Sequence, residues 1–83
     1  MAYKNITIQD CEELVKKFIA YTETAEQHEF PILIIIQTKL YKTMREIHKT
    51  NEVPNQKEAR AMFRVVLRAI GEDISEYKEE ETA

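Results

Sequence analysis

The chain contains very few of the residues that form turns and cross-links. Its 83 residues include one glycine, two prolines, one cysteine and no tryptophan. An all-β domain needs turn residues about every 8 to 12 positions, so that class is disfavoured. A single glycine also excludes the glycine-rich loops that bind nucleotide phosphates. The scarcity of glycine and proline therefore predicts a few long helices, and the single glycine predicts no nucleotide site of that kind.

The single cysteine, Cys11, has no partner within the chain for a disulfide bond. A small extracellular domain held by disulfides is thereby excluded, and the cytoplasm is the expected location. The longest apolar run, Ile32 to Ile36, is far shorter than the roughly 20 residues that span a bilayer. The first residues form no apolar signal segment. We therefore expect no membrane span.

Apolar residues recur at spacings of three and four along most of the chain, which is the pattern of helices with one buried face. Three helices joined by short connections favour an antiparallel three-helix bundle, and the all-α class is the predicted fold. Residues 1–77 are predicted to form one domain, and the acidic end, 78–83, is predicted to be disordered. The three helices are predicted over about residues 7–27, 31–49 and 56–77.

The predicted helix starts carry recognisable capping residues. Thr7 is followed three positions later by Asp10, and Asn55 is followed three positions later by Glu58. In this spacing the first side chain caps the helix and the acidic residue favours its first turn. Pro31 suits a first helical turn, because its missing amide hydrogen has no intrahelical partner there.

Two parts of this reading have alternatives. The β-branched isoleucines within 32–37 would also suit a short buried strand, which would make the fold α+β. Gly71 suits a left-handed helix end, but Ile74 and Tyr77 continue the apolar stripe beyond it. We expect the third helix to run through Gly71 to residue 77, at a cost of about 1 kcal/mol.

No catalytic, cofactor-binding or metal-binding site is predicted. Cys11 falls on the apolar face of the first helix, where burial raises the pKa of a thiol and makes it unreactive. His28 and His48 have no second ligand at helical spacing. The acidic run from Glu23 to Glu29 is typical of a solvated helix end. A bundle this small with a filled core is also expected to offer little concave volume.

Charge is segregated along the chain. Residues 31–71 carry eight basic and three acidic residues, a net charge of +5, whereas residues 72–83 have a net charge of −5. Outward faces of amphipathic helices are ordinarily charged, and the acidic end would suit a cover over the basic faces. The candidate basic patch on helices 2 and 3 consists of Lys42, Arg45, Arg60, Arg64 and Arg68.

The five apolar residues from Ile32 to Ile36 circle the second helix instead of keeping to one side. A three-helix bundle buries one side of each helix, so Ile34 and Ile35 need another cover. That cover is either the segment around Ile74 and Tyr77, a second copy in a homodimer, or another protein.

These features predict a non-enzymatic helical module for protein–protein interaction, such as a small adaptor, inhibitor or immunity-type protein. Its partner would bind an apolar patch at Ile34 and Ile35, flanked by the basic residues of helices 2 and 3. The alternative is a nucleic-acid-associated regulator that uses the same basic residues on phosphates. The acidic total charge and the long connection between helices 2 and 3 weigh against that alternative.

Overall fold

The computed structural model describes residues 5–77, which form three α-helices and two single 3-10 turns. The all-α class is confirmed, and the described residues contain no strand. The strand alternative over 32–37 is wrong, because those residues lie inside the second helix. The predicted disorder of 78–83 lies outside the described residues. The helices are α1, Ile8–Thr24; α2, Phe30–Thr50; and α3, Gln56–Ala69; the 3-10 turns are Gln27–Glu29 and Ser75–Tyr77.

The helix starts follow the capping residues. The Thr7 hydroxyl accepts a hydrogen bond from the Asp10 amide at 3.1 Å, and the Thr7 amide donates to the Asp10 carboxylate at 3.0 Å. The Asn55 side chain likewise accepts from the Glu58 amide at 3.1 Å. Each bond satisfies an amide that a helix start leaves without an intrahelical partner.

The first helix ends three residues before the predicted position 27. The hydroxyls of Thr22 and Thr24 donate to the carbonyls of Ile19 and Tyr21 and so satisfy acceptors in the last turn. Ala25 leaves the helical conformation, with φ −69° and ψ 149°. The correction arises because threonine hydroxyls compete for backbone carbonyls, an effect that apolar periodicity does not show.

The helices alternate in direction, as an antiparallel bundle requires. His48 near the end of α2 lies 3.6 Å from Glu12 near the start of α1. The starts of α1 and α3 also meet, because the backbone amide and carbonyl of Ile6 each bond the Gln56 side chain at 2.8 Å. Gln56 follows Ile6 by 50 positions, so these bonds join the start of α1 to the start of α3 at one end of the bundle.

The core is wholly apolar within the described residues. No polar or charged residue there is buried, and every helix contributes to one cluster. The buried residues of α2 recur at spacings of three and four, as its apolar pattern predicts: Leu33, Ile36, Leu40, Met44 and Ile47. On α3, Leu67 is buried and Ile70 is only partly buried. The largest fully buried side chains are Phe18, Ile6, Leu40, Ile47, Val66 and Cys11. No helix among residues 5–77 has the length and apolarity needed to cross a bilayer.

The prediction that the third helix continues to residue 77 is wrong. The helix ends at Ala69, and Gly71 adopts a left-handed conformation with φ +78°. The Glu72 amide donates to the Leu67 carbonyl at 2.8 Å, and the Gly71 amide donates to the Arg68 carbonyl at 3.2 Å. This pair of bonds is the Schellman termination, in which a glycine reverses the chain without a Cβ penalty.

The chain from Gly71 to Tyr77, here called the C-terminal segment, therefore turns back along α3. The Tyr77 ring packs on Phe63 with centroids 5.0 Å apart. The Arg64 guanidinium donates to the Tyr77 carbonyl at 2.6 Å. The reversal gives Ile74 and Tyr77 a place against the core without extending the helix.

Replacing Gly71 with alanine tests this helix end by the sign of its effect. A Cβ at Gly71 meets no atom within 4 Å, so the substitution acts only through the backbone conformation. We expect Gly71→Ala to lower the free energy of unfolding by about 1 kcal/mol, because alanine resists the left-handed region. A continuous helix predicts the opposite sign, a gain of about 1 kcal/mol. Urea denaturation followed by circular dichroism distinguishes the two.

Candidate functional site

Three isoleucines near the start of α2 remain exposed. Ile32, Ile34 and Ile35 are 60%, 60% and 69% exposed, whereas Leu33 and Ile36 of the same run are buried. We call the three exposed residues the isoleucine surface. Its exposure agrees with the expectation that a three-helix bundle leaves part of this run uncovered.

The C-terminal segment does not cover the isoleucine surface. Tyr77 packs on Phe63, and the groove beside it is lined by α1 and α3 without a residue of α2. The internal cover by Ile74 and Tyr77 considered above is therefore wrong. Since its exposure remains high, the surface has no cover within the described part of the chain.

The predicted basic residues border different features of the bundle. Lys42 lines a groove between α2 and α3, and Arg45 lines a different groove between α1 and α2. Arg64 is half-buried and bonds the Tyr77 carbonyl, so it fastens the C-terminal segment. On the same helix Arg60 is half-buried, and Arg68 is exposed. Lys42 thus lies on the same helix as the isoleucines, two turns from Ile35. The five basic residues do not all border one groove.

A groove between α1 and α2 was missed by the sequence analysis. It has a volume of about 640 Å³, and its apolar lining comes from Val15, Tyr41 and Met44. This is more concave volume than a filled bundle was expected to offer. The sequence feature that could have indicated this groove is Tyr41, a large side chain one helical turn before the buried Met44. Tyr41 is 38% exposed in the structure.

Charged side chains form the rim of this α1–α2 groove: Glu12, Lys16, Arg45 and His48. Glu12 and His48 face each other at 3.6 Å. Lys16 and Arg45 have no ion-pair or hydrogen-bond partner within residues 5–77. The rim therefore has Glu12 and His48 at one end and, one helical turn away, two cations that form no ion pair or hydrogen bond within residues 5–77.

The acidic run from Glu23 to Glu29 shapes the corner between α1 and α2. Tyr21 donates a hydrogen bond to the Glu29 carboxylate, and the Glu26 amide donates to the same carboxylate at 3.0 Å. The bond to Glu29 raises the pKa of Tyr21, and the bond from Tyr21 lowers the pKa of Glu29. Glu29 is thus engaged in holding this corner, which agrees with a structural reading of the run.

No metal centre is formed by the described residues, because no three histidine, cysteine or acidic side chains group together among them. His28 instead lies 3.6 Å from Glu26, and His48 lies beside Glu12. Cys11 is fully buried, as its position on the apolar face of the first helix predicts. Burial and the neighbouring carboxylates of Asp10 and Glu12 raise the pKa of the Cys11 thiol to about 11.

Comparison of the chain with protein families, curated proteins and solved structures gave no match.

The Cys11 thiol is expected to resist modification in the folded protein. A pKa of about 11 makes its thiolate fraction near neutral pH about a hundredfold smaller than that of a thiol with the ordinary value of 9.0. Burial adds a steric barrier. We expect Ellman's reagent to label Cys11 about a hundredfold more slowly, or slower still, in native protein than in urea at the same pH. Equal rates would show that the thiol is accessible and the core assignment is wrong.

Proposed function

We propose that the protein is a non-enzymatic helical module, of the adaptor or inhibitor kind, that binds another protein through the isoleucine surface. The observation that supports this proposal is the 60% to 69% exposure of Ile32, Ile34 and Ile35. Full burial of an isoleucine side chain contributes about 1.5 to 3 kcal/mol. Covering these three residues gives a partner roughly 1 to 2 kcal/mol from each, enough for the anchor of an interface.

The charges beside the isoleucines favour an acidic partner over a second copy. Lys39 and Lys42 follow Ile35 at spacings of four and seven, so all three share one side of α2. Both lysines are exposed. In a two-fold dimer centred on Ile35, lysines of both copies would border the apolar centre, whereas Glu46, the exposed carboxylate on that side of α2, lies about three turns from Ile35. An apolar face with Asp or Glu at its edge would complement both the isoleucines and the lysines. We take a protein with such a face as the partner.

The nucleic-acid alternative has less support. A phosphate backbone needs a continuous track of cations. Lys42, Arg45 and Arg64 instead lie in two different grooves and beside the C-terminal segment. The cytoplasmic location stays a prediction from the single cysteine.

Substitution of Ile35 tests the proposed surface. Purified wild-type and Ile35→Lys proteins serve as baits, and any protein retained by the wild type is identified, purified and titrated against both. We expect Ile35→Lys to weaken its binding at least tenfold, on the order of an interface anchor, because the apolar contact is lost. Folding is checked by circular dichroism, and little change is expected since Ile35 is exposed.

Gln9→Lys is the matched control. It adds the same charge at an exposed position near the start of α1, which lies beside the end of α2 and far from the isoleucines. We expect this variant to bind like the wild type, and we expect both proteins to be monomeric by light scattering. The proposal fails if the wild type is a dimer that Ile35→Lys dissociates, or if both variants bind the purified protein equally.

A further inference from the structure

The α1–α2 groove has its apolar and charged groups in a definite order along the helices. Glu12 and His48 meet at 3.6 Å, and the two helices run in opposite directions from that contact. One turn further along lie Lys16 on α1 and Met44 and Arg45 on α2. The groove therefore has the Glu12–His48 contact at one end and a cationic section, formed by Lys16 and Arg45, one turn away.

Beyond the cationic section Tyr41 lines the groove, and helical spacing places Ile19 on the same side of α1 as Val15 and Lys16. Ile19 follows Glu12 by seven positions, and Tyr41 precedes His48 by seven, so both lie two turns from the contact. Ile19 is 41% exposed and Tyr41 is 38% exposed. Helical spacing also places Ile34 two turns beyond Tyr41 on the same side of α2. Tyr41, and by helical spacing Ile19, thus place apolar surface on the side of Lys16 and Arg45 that faces away from the Glu12–His48 contact.

We propose that this groove binds a small amphipathic monocarboxylate, with its carboxylate between Lys16 and Arg45 and its apolar body along Tyr41 and Ile19. The volume of about 640 Å³ lies in the range of ligand sites, about 300 to 1,000 Å³. The ligand is a free small molecule with one anionic group.

Three features of the lining support this ligand chemistry. Lys16 and Arg45 lack partners within residues 5–77, so a carboxylate would satisfy both without breaking an existing pair. The other end of the groove holds the carboxylate of Glu12 beside His48, so an anionic group is favoured at Lys16 and Arg45 over that end. Met44, at the apolar base, has a flexible thioether that adapts to different aliphatic or aromatic shapes.

The site differs from the isoleucine surface in its chemistry and in its test, although Ile34, one of the three isoleucines, lies on the groove side of α2. Ile35 lies 100° around α2 from Ile34, on the side away from the groove. This proposal therefore does not depend on the proposed protein partner.

Decanoate is the probe, and decyltrimethylammonium, which has the same alkyl chain and the opposite charge, is its matched control. Titration calorimetry below the micellar concentration of each compound measures affinity for the full chain. We expect decanoate to bind with one-to-one stoichiometry and the cationic compound to bind at least about tenfold more weakly. Amide resonances of Val15 and Met44 should shift with decanoate. Equal affinity for the two compounds would overturn the proposal.

Variants then assign the headgroup. The double variant Lys16→Gln/Arg45→Gln should bind decanoate about tenfold more weakly, since two surface ion pairs are lost. Lys49→Gln/Lys57→Gln makes the same change in net charge at exposed positions outside the groove and should bind like the wild type. Ile35→Lys should also bind decanoate normally. Unchanged affinity in the groove double variant, loss in Ile35→Lys, or a decanoate-induced dimer by light scattering would each refute the site.

Discussion

The burial of one apolar stripe from each helix against the other two is the interaction on which the structure depends. The described residues bury hydrophobic side chains only, so no internal hydrogen-bond network helps to position the helices. Apolar packing therefore sets most of their separation and rotation. The hydrogen bonds between Ile6 and Gln56 add a directional link at one end, where the starts of α1 and α3 meet. Capping bonds then fix where each helix begins.

This arrangement also explains why apolar surface remains outside. A helix in a three-helix bundle has one side against its neighbours, and α2 carries more isoleucine than that side accepts. The helix α2 has 21 residues and α3 has 14, so α2 is longer by about 10 Å. The C-terminal segment, Gly71 to Tyr77, packs on α3 and does not cover the isoleucine surface. The isoleucine surface is thus exposed because neither α3 nor the C-terminal segment extends over that part of α2.

The two surfaces have different chemistry and invite different ligands. The isoleucine surface projects from α2 and is bordered by Lys39 and Lys42, which suits an apolar protein face with an acidic edge. The α1–α2 groove is concave and has two unpaired cations within the described chain, which suits a small anion with an apolar body. Arg64 serves neither surface, because its guanidinium bonds the backbone of the C-terminal segment.

The sequence by itself determined the helices and much of the core. Capping at Thr7 and Asn55 and the buried stripe of α2 follow from local spacing, and local spacing can be read from one chain. The exposure of Ile34 and Ile35 followed from the same periodicity, because five successive apolar residues exceed one helix side.

Only the tertiary structure decided the rest. Gly71 had two allowed roles, and the left-handed one prevailed because reversal lets Tyr77 pack on Phe63 and bond Arg64. The basic residues share a pattern in sequence, yet the rotation of each helix about its axis sends Lys42 and Arg45 into different grooves. The α1–α2 groove was invisible for the same reason, since its walls come from two helices whose relative rotation and separation are fixed by packing between them.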